Sequence, residues 1–226
     1  MIISHSQQFI FIKTRKTAGS SLEIGLSRIC GGEDIITPLI SELGEEEIRK
    51  DEGGIGPANH LKSLGEHRGM REWRKLLLRG KRGERYSQHM PASEIKDLVG
   101  EDIWDKYFVF TVERNPWDRA VSRYWWQKYR WEVRRGRSNF PNLSEYLRYL
   151  ERVKPHYLSN WGHYTINDEI VVDRVLFYEN LAEELEKLSA QLQESGRKFF
   201  DVPMQQHNLD AVLSINNYHA AYAAVA

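Results

Sequence analysis

The stretch FIKTRKTAGSSLE, residues 11–23, decides the fold. Four apolar residues, Phe9 to Ile12, run into Lys-Thr-Arg-Lys and then into small residues, after which Leu22, Leu26 and Ile29 recur at helical spacing. A continuous apolar run that ends in polar and small residues and reopens with a 3.6-residue period predicts a buried strand, a tight loop and a helix. Such a unit suits phosphate. A helix N-terminus offers unpaired backbone N–H groups and partial positive charge, and Ala18, Gly19, Ser20 and Ser21 let an anion come close to that backbone. Lys16 adds a mobile cation. The spacing is neither G-x-x-x-x-G-K-[ST] nor G-x-G-x-x-G, so neither a P-loop NTPase nor a dinucleotide fold is indicated.

The same pattern returns at YFVFTVERNPWDRAVSRYWW, residues 107–126. Residues 107–112 read as a second buried strand, Asn115 as an N-cap and Pro116 as the first helical residue, with the helix running to about Glu132. Ser122 falls on the helix face shared with Asn115 and Asp118. A guanidinium at Arg114 and a hydroxyl at Ser122 can grip a second phosphate. Between the two units, a short strand is expected to end near His89, with Pro91 at a helix start and Gly100 ending that helix. A helix carrying Leu143, Leu147 and Leu150, a strand EIVVDRVLFYE and an amphipathic helix from Leu181 to about Gln193 complete the alternation. The expected class is α/β: three layers, α/β/α, around a central, mainly parallel sheet with a P-loop-like strand-loop-helix.

The two motifs, KTAGSSLE (16–23) and RNPWDRAVSRY (114–124), together resemble the nucleotide-binding motifs of sulfotransferases that use 3′-phosphoadenosine 5′-phosphosulfate (PAPS), in particular the carbohydrate sulfotransferase branch. The likeness extends to QHMPASEI (88–95) and DRVLFYENLAEELEKL (173–188). It implies that the first loop, Lys16, Thr17, Ala18, Gly19, Ser20 and Ser21, wraps the 5′-phosphosulfate and that Arg114 and Ser122 bind the 3′-phosphate. Catalytic roles then fall to Lys16, which stabilises the leaving phosphate, and to His89, which matches the base that family places before the second motif. PAPS would be the donor and 3′-phosphoadenosine 5′-phosphate (PAP) the product, with no metal. Two positions depart from the pattern. Arg15 stands where many relatives have Pro and adds a possible anion contact; Glu113 stands where an aliphatic residue is usual, placed to pair with Arg114, to face solvent at the sheet edge or to act as a second acid or base.

The chemistry agrees with these residue types. Sulfuryl transfer proceeds in line between two oxygens, so positioning and charge stabilisation dominate, as in phosphoryl transfer. A histidine of ordinary pKa, about 6.5, suits a hydroxyl proton near neutrality. His60, His67, His156 and His163 show no metal-ligand spacing and read as surface or core histidines.

A length of 226 residues fits one domain, taken as 1–226. Lys plus Arg and Asp plus Glu both total 32, so overall charge gives no case for a nucleic-acid or a membrane-surface protein. Cys30 is the only cysteine, so no intramolecular disulfide can form. The N-terminus does not look like a leader, and no apolar run approaches the roughly 18 residues of a membrane span; a cytoplasmic protein is expected. Charge is nonetheless uneven. Residues 66–85 hold Arg68, Arg71, Arg74, Lys75, Arg79, Lys81, Arg82 and Arg85, and a second group, Arg130, Arg134, Arg135 and Arg137, follows the aromatic helix of Trp117, Tyr124, Trp125, Trp126, Tyr129 and Trp131. Each group is either a solvated helix face or a wall for an anionic acceptor such as an acidic glycan. The expected activity is sulfuryl transfer to a hydroxyl, on a carbohydrate by preference. Its rivals are an inactive module that binds nucleotide or anionic glycan and a small-molecule kinase, for which the Mg²⁺ ligands and Walker spacing are missing.

Overall fold

The computed structural model describes residues 1–39, 44–66, 70–80 and 82–194. Positions 67–69 and 81 of the basic segment lie outside the described residues.

In chain order the elements are β1 (Ile2–Ser4), β2 (Phe9–Ile12), α1 (Gly19–Ser27), β3 (Ile35–Ile36), α2 (Glu45–Asp51), α3 (Met70–Arg79), α4 (Ala92–Val99), α5 (Glu101–Lys106), β4 (Phe108–Glu113), α6 (Pro116–Tyr129), α7 (Leu143–Val153), α8 (Trp161–Tyr164), β5 (Thr165–Ile166), β6 (Glu169–Ile170), β7 (Arg174–Phe177) and α9 (Leu181–Glu194). The protein is α/β, built on a mixed five-stranded sheet of order β3-β1-β2-β4-β7. β2 and β4 pair in parallel from Phe9 opposite Phe108 to Ile12 opposite Thr111, and β4 pairs in parallel with β7 from Phe110 opposite Arg174 to Glu113 opposite Phe177. β1 is antiparallel to both β2 and β3.

β2 is apolar at every position because both of its faces are buried. Phe9 and Phe11 point to one side, where Phe110, Val112 and Leu176 meet Leu22 and Leu26 of α1 and Leu181, Leu185 and Leu188 of α9. Ile10 and Ile12 point to the other, against Ile95 of α4, Trp104 of α5, Tyr86 and Met90. The parallel trio β2, β4 and β7 thus sets its two strand-to-helix junctions, β2–α1 and β4–α6, side by side at one sheet end.

Three expectations need correction. The sheet is half antiparallel, because Ile2–Ser4 folds back on β2 through a turn closed by Gln8 at φ 56°; a three-residue apolar strand is too short for a periodic signal. Over residues 82–89, where a strand ending near His89 is expected, there is none, only an isolated bridge between Glu84 and Leu61. EIVVDRVLFYE divides: Glu169–Ile170 pairs with β5 across a two-residue turn with Asn167 and Asp168 at φ 52° and 62°, as type I′ hairpins require, and only Arg174–Phe177 joins the main sheet. At the helix ends, Pro91 and Gly100 do flank α4, and Asn115 with Pro116 opens α6. α6 ends at Tyr129, where the chain loosens into a π-turn over Arg130–Arg134.

Candidate functional site

The first junction is held from beneath. Thr14 and Thr17 are buried; their hydroxyls lie 2.9 Å apart, and that of Thr14 donates to the Val112 carbonyl of β4. Thr17 therefore presents its backbone, not its hydroxyl, to any ligand. Lys16 and Ala18 both adopt left-handed backbone, φ 63° and 60°, which costs non-glycine residues free energy and is found where a loop is shaped for binding. α1 starts from Ala18 with no side-chain cap. A Cβ at Gly19 would lie 2.7 Å from Lys13 Cγ, so a larger residue there has to displace the Lys13 side chain. Lys13 itself is buried, with Nζ 2.5 Å from Glu23 Oε2 and 3.1 Å from Ser20 Oγ. Ser20 thus has a partner, and Ser21 is buried.

At the second junction, Asn115 Oδ1 accepts the Trp117 N–H at 3.0 Å. Arg114 lies over the Tyr178 ring at 4.2 Å, and its buried Nε has no hydrogen-bond partner. Arg123, one residue past Ser122, stacks 3.6 Å over Tyr157 and also leaves a buried Nε without a partner. Ser122 is half-buried on the same helix. Lys16 Nζ sits 5.0 Å from the Trp126 ring centroid. Burial, and then the nearby charges of Arg114 and Arg123, lower its pKa to about 8. Lys16 of the first junction thus lies against α6 of the second, within electrostatic reach of Arg114 and Arg123.

Glu113 does not pair with the Arg114 guanidinium, contrary to one expectation. Its Oε1 accepts the Arg114 backbone N–H at 2.9 Å and the Asn160 amide at 3.1 Å and lies 3.7 Å from Arg119, while Oε2 accepts from the Tyr164 hydroxyl at 3.3 Å. Burial and this carboxylate push the Tyr164 hydroxyl up to about 12. With Glu113 committed to Arg119, the charge of Arg114 is left for a ligand.

His89 lies in a turn, half-buried, with Nδ1 2.9 Å from the Lys13 carbonyl oxygen. A carbonyl only accepts, so Nδ1 carries the proton and Nε2 keeps its lone pair. Burial, and then Lys13, lower its pKa to about 3, so the ring is neutral.

Several residues the motifs do not mark complete the site. Asn160, buried, accepts the Arg15 N–H and donates to the Arg15 carbonyl, each at 3.1 Å, besides holding Glu113. His163 is also buried: its Nδ1 donates to the Asn160 carbonyl at 3.2 Å and its Nε2 accepts from Arg15 Nη1 at 2.6 Å. Its ring stands 6.4 Å from that of His89, edge to face. Burial and then Arg15 lower its pKa to about 4. His163 is thus a site-supporting residue and not merely a packed one. Arg123 had a sequence signal, its place inside RNPWDRAVSRY; Asn160 and His163 had none.

The outlying arginines divide. Arg134, Arg135 and Arg137 are exposed, and Arg85 is half-used by Glu66 at 2.9 Å. Of the aromatic residues, Tyr124 is core, packed on Tyr146 and Leu150, whereas Trp117 is 77% exposed.

Fold and site define an α/β protein in which two parallel strand-to-helix junctions lie side by side and carry cationic side chains, with a neutral His89 held on the Lys13 carbonyl. No family model matches the chain, and no solved structure matches it. A protein of Archaeoglobus fulgidus, described as uncharacterized, is 39% identical over 105 residues, which cover 44% of this chain and 78% of that protein. The chain belongs to the family of that archaeal protein.

Proposed function

We propose that residues 1–226 form one PAPS-dependent sulfotransferase domain, a three-layer α/β/α fold with a P-loop-like first junction, acting on a hydroxyl acceptor, preferably a carbohydrate. One observation carries the reading: Lys16 lies against Trp126 of α6 within electrostatic reach of Arg114 and Arg123, and two buried guanidinium nitrogens, Arg114 Nε and Arg123 Nε, lack partners. A buried donor without an acceptor is costly, and an anionic ligand supplies one.

In this reading PAPS supplies the activated sulfuryl group. The backbone of Thr17 to Ser21 holds its 5′-phosphate, helped by the uncapped start of α1. Arg114, with Ser122 and Arg123, holds the 3′-phosphate through charge-assisted bonds. Arg15 is drawn toward His163 and Asn160 and so fixes the loop's outer wall. The acceptor oxygen forms its bond to sulfur as the bond from sulfur to the 5′-phosphate oxygen breaks. The acceptor proton passes to His89 Nε2, and Lys16 offsets the charge gathering on the departing phosphate. His89 starts neutral, as a base must; a bound dianion beside it raises its pKa toward the useful range.

The test is transfer of radiolabel from sulfur-labelled PAPS to a panel of glycans, alcohols and phenols. Labelled product that disappears with His89→Ala supports the proposal. Transfer from ATP with Mg²⁺ in place of PAPS would make the protein a kinase, and PAP binding without any transfer would leave an inactive binding module.

A further inference from the structure

The segment between His60 and Arg85 leaves the core and returns through one neck. Lys62 N–H bonds the Gly83 carbonyl at 2.8 Å, and the Arg85 and Tyr86 N–H groups bond the His60 carbonyl at 2.8 and 3.0 Å. The excursion carries α3, and α3 shows solvent the wrong residues. Met70 is 90% exposed, Leu77 78% and Leu78 73%, with Trp73 at 42% and Leu64 at the neck at 53%. Positions 70, 73 and 77 share one helix face. Over residues 66–85 eight Lys and Arg stand against three Glu, although the whole chain is balanced.

We propose that α3 is a membrane-surface helix, with Met70, Trp73 and Leu77 entering the boundary between headgroups and acyl chains of an anionic bilayer while the surrounding cations meet its headgroups. A short amphipathic helix with a Trp and Leu face and a Lys/Arg-rich polar side has the composition of an interfacial helix. The apolar face chooses among anionic partners: an acidic glycan is bound by cations and isolated aromatics, and gives exposed Met and Leu nothing to enter. Arg74, exposed on the edge of that face, can lay its stem along the surface and keep its charge at the headgroups. The inference stands apart from sulfuryl transfer and would hold for any activity at the site.

Flotation of the full chain with vesicles tests it. The wild type is expected to float with vesicles of equal parts phosphatidylglycerol and phosphatidylcholine, to stay behind with phosphatidylcholine alone, and to be released by high salt. Met70→Ser with Leu77→Ser should weaken that binding at least about tenfold with the melting midpoint unchanged, since both side chains are already in water. Failure of the wild type to float would overturn the proposal. Undiminished flotation of the double variant would also overturn it, placing the attraction on charge alone. So would a wild-type dimer in size exclusion that the double variant converts to monomer without any vesicle binding, because a second copy would then cover the face.

Discussion

At the β2–α1 junction the chain turns through two left-handed non-glycine residues, Lys16 and Ala18, and the helix begins without a side-chain cap. At the β4–α6 junction Asn115 caps the helix and Pro116 fills its first position. The first junction leaves its helix terminus without a side-chain cap and carries backbone strain beside it. The second spends its terminus on itself, so any anion there must be held by side chains, and those side chains, Arg114 and Arg123, each keep a buried nitrogen without a partner. The difference teaches that two similar strand-loop-helix units need not bind in the same way: one should depend on backbone shape and Lys16, the other on guanidinium groups.

Substitutions sharpen or break that contrast. The largest effect is expected from His89, held against the Lys13 carbonyl at the end of β2: His89→Ala should lower kcat by about a thousandfold while the Kd for PAP, by calorimetry, stays within about twofold of wild type; an active variant would remove His89 as base. Lys16→Ala should lower kcat by about a hundredfold, as loss of one group stabilising a developing anion does, with a smaller change in Kd. Arg114→Ala should weaken PAP binding by about ten- to a hundredfold and leave 5′-AMP binding unchanged, since only PAP carries the phosphate that Arg114 meets. If Lys16→Ala mainly weakened binding and Arg114→Ala mainly slowed turnover, the roles given to the two junctions would be exchanged. Gly19→Ala presses a methyl onto Lys13 Cγ and should cost about 1–3 kcal/mol of stability in denaturant titrations; an equally stable variant would show that the first junction tolerates repacking. The smallest effect concerns pH. Lys16 in the free protein titrates at about 8, and a bound phosphate raises that value, so binding takes up a proton once the free lysine has lost one. PAP affinity should fall as pH rises through that value, by about twofold from pH 7 to pH 8, and a flat profile would separate Lys16 from the ligand.

Much of this contrast was legible in the sequence where it obeys local rules. The run from Phe9 to Ile12 signals a strand buried on both faces, and Asn115-Pro116 signals a capped helix start, because caps and periodicity act over a few residues. Lys16, Arg114 and His89 could be named from their motifs. What escaped depends on contacts distant in sequence. Asn160 reaches Arg15 across 145 positions, and Glu113 finds Tyr164 and Asn160 only once residues 155–165 pack over the first loop. No local pattern encodes that packing. β1 and the β5–β6 hairpin escaped for a simpler reason, being strands of two or three residues.

The central claim is that the two junctions form one site for a nucleotide with phosphates at both ends of its ribose. Calorimetric titration of the full chain with PAP, with 5′-AMP and with ATP plus Mg²⁺ tests it most directly. The account predicts tight, one-site binding of PAP, binding of 5′-AMP weaker by at least about tenfold, and none of ATP with Mg²⁺. PAP that bound no more tightly than 5′-AMP would contradict it, since the second junction would then hold no phosphate.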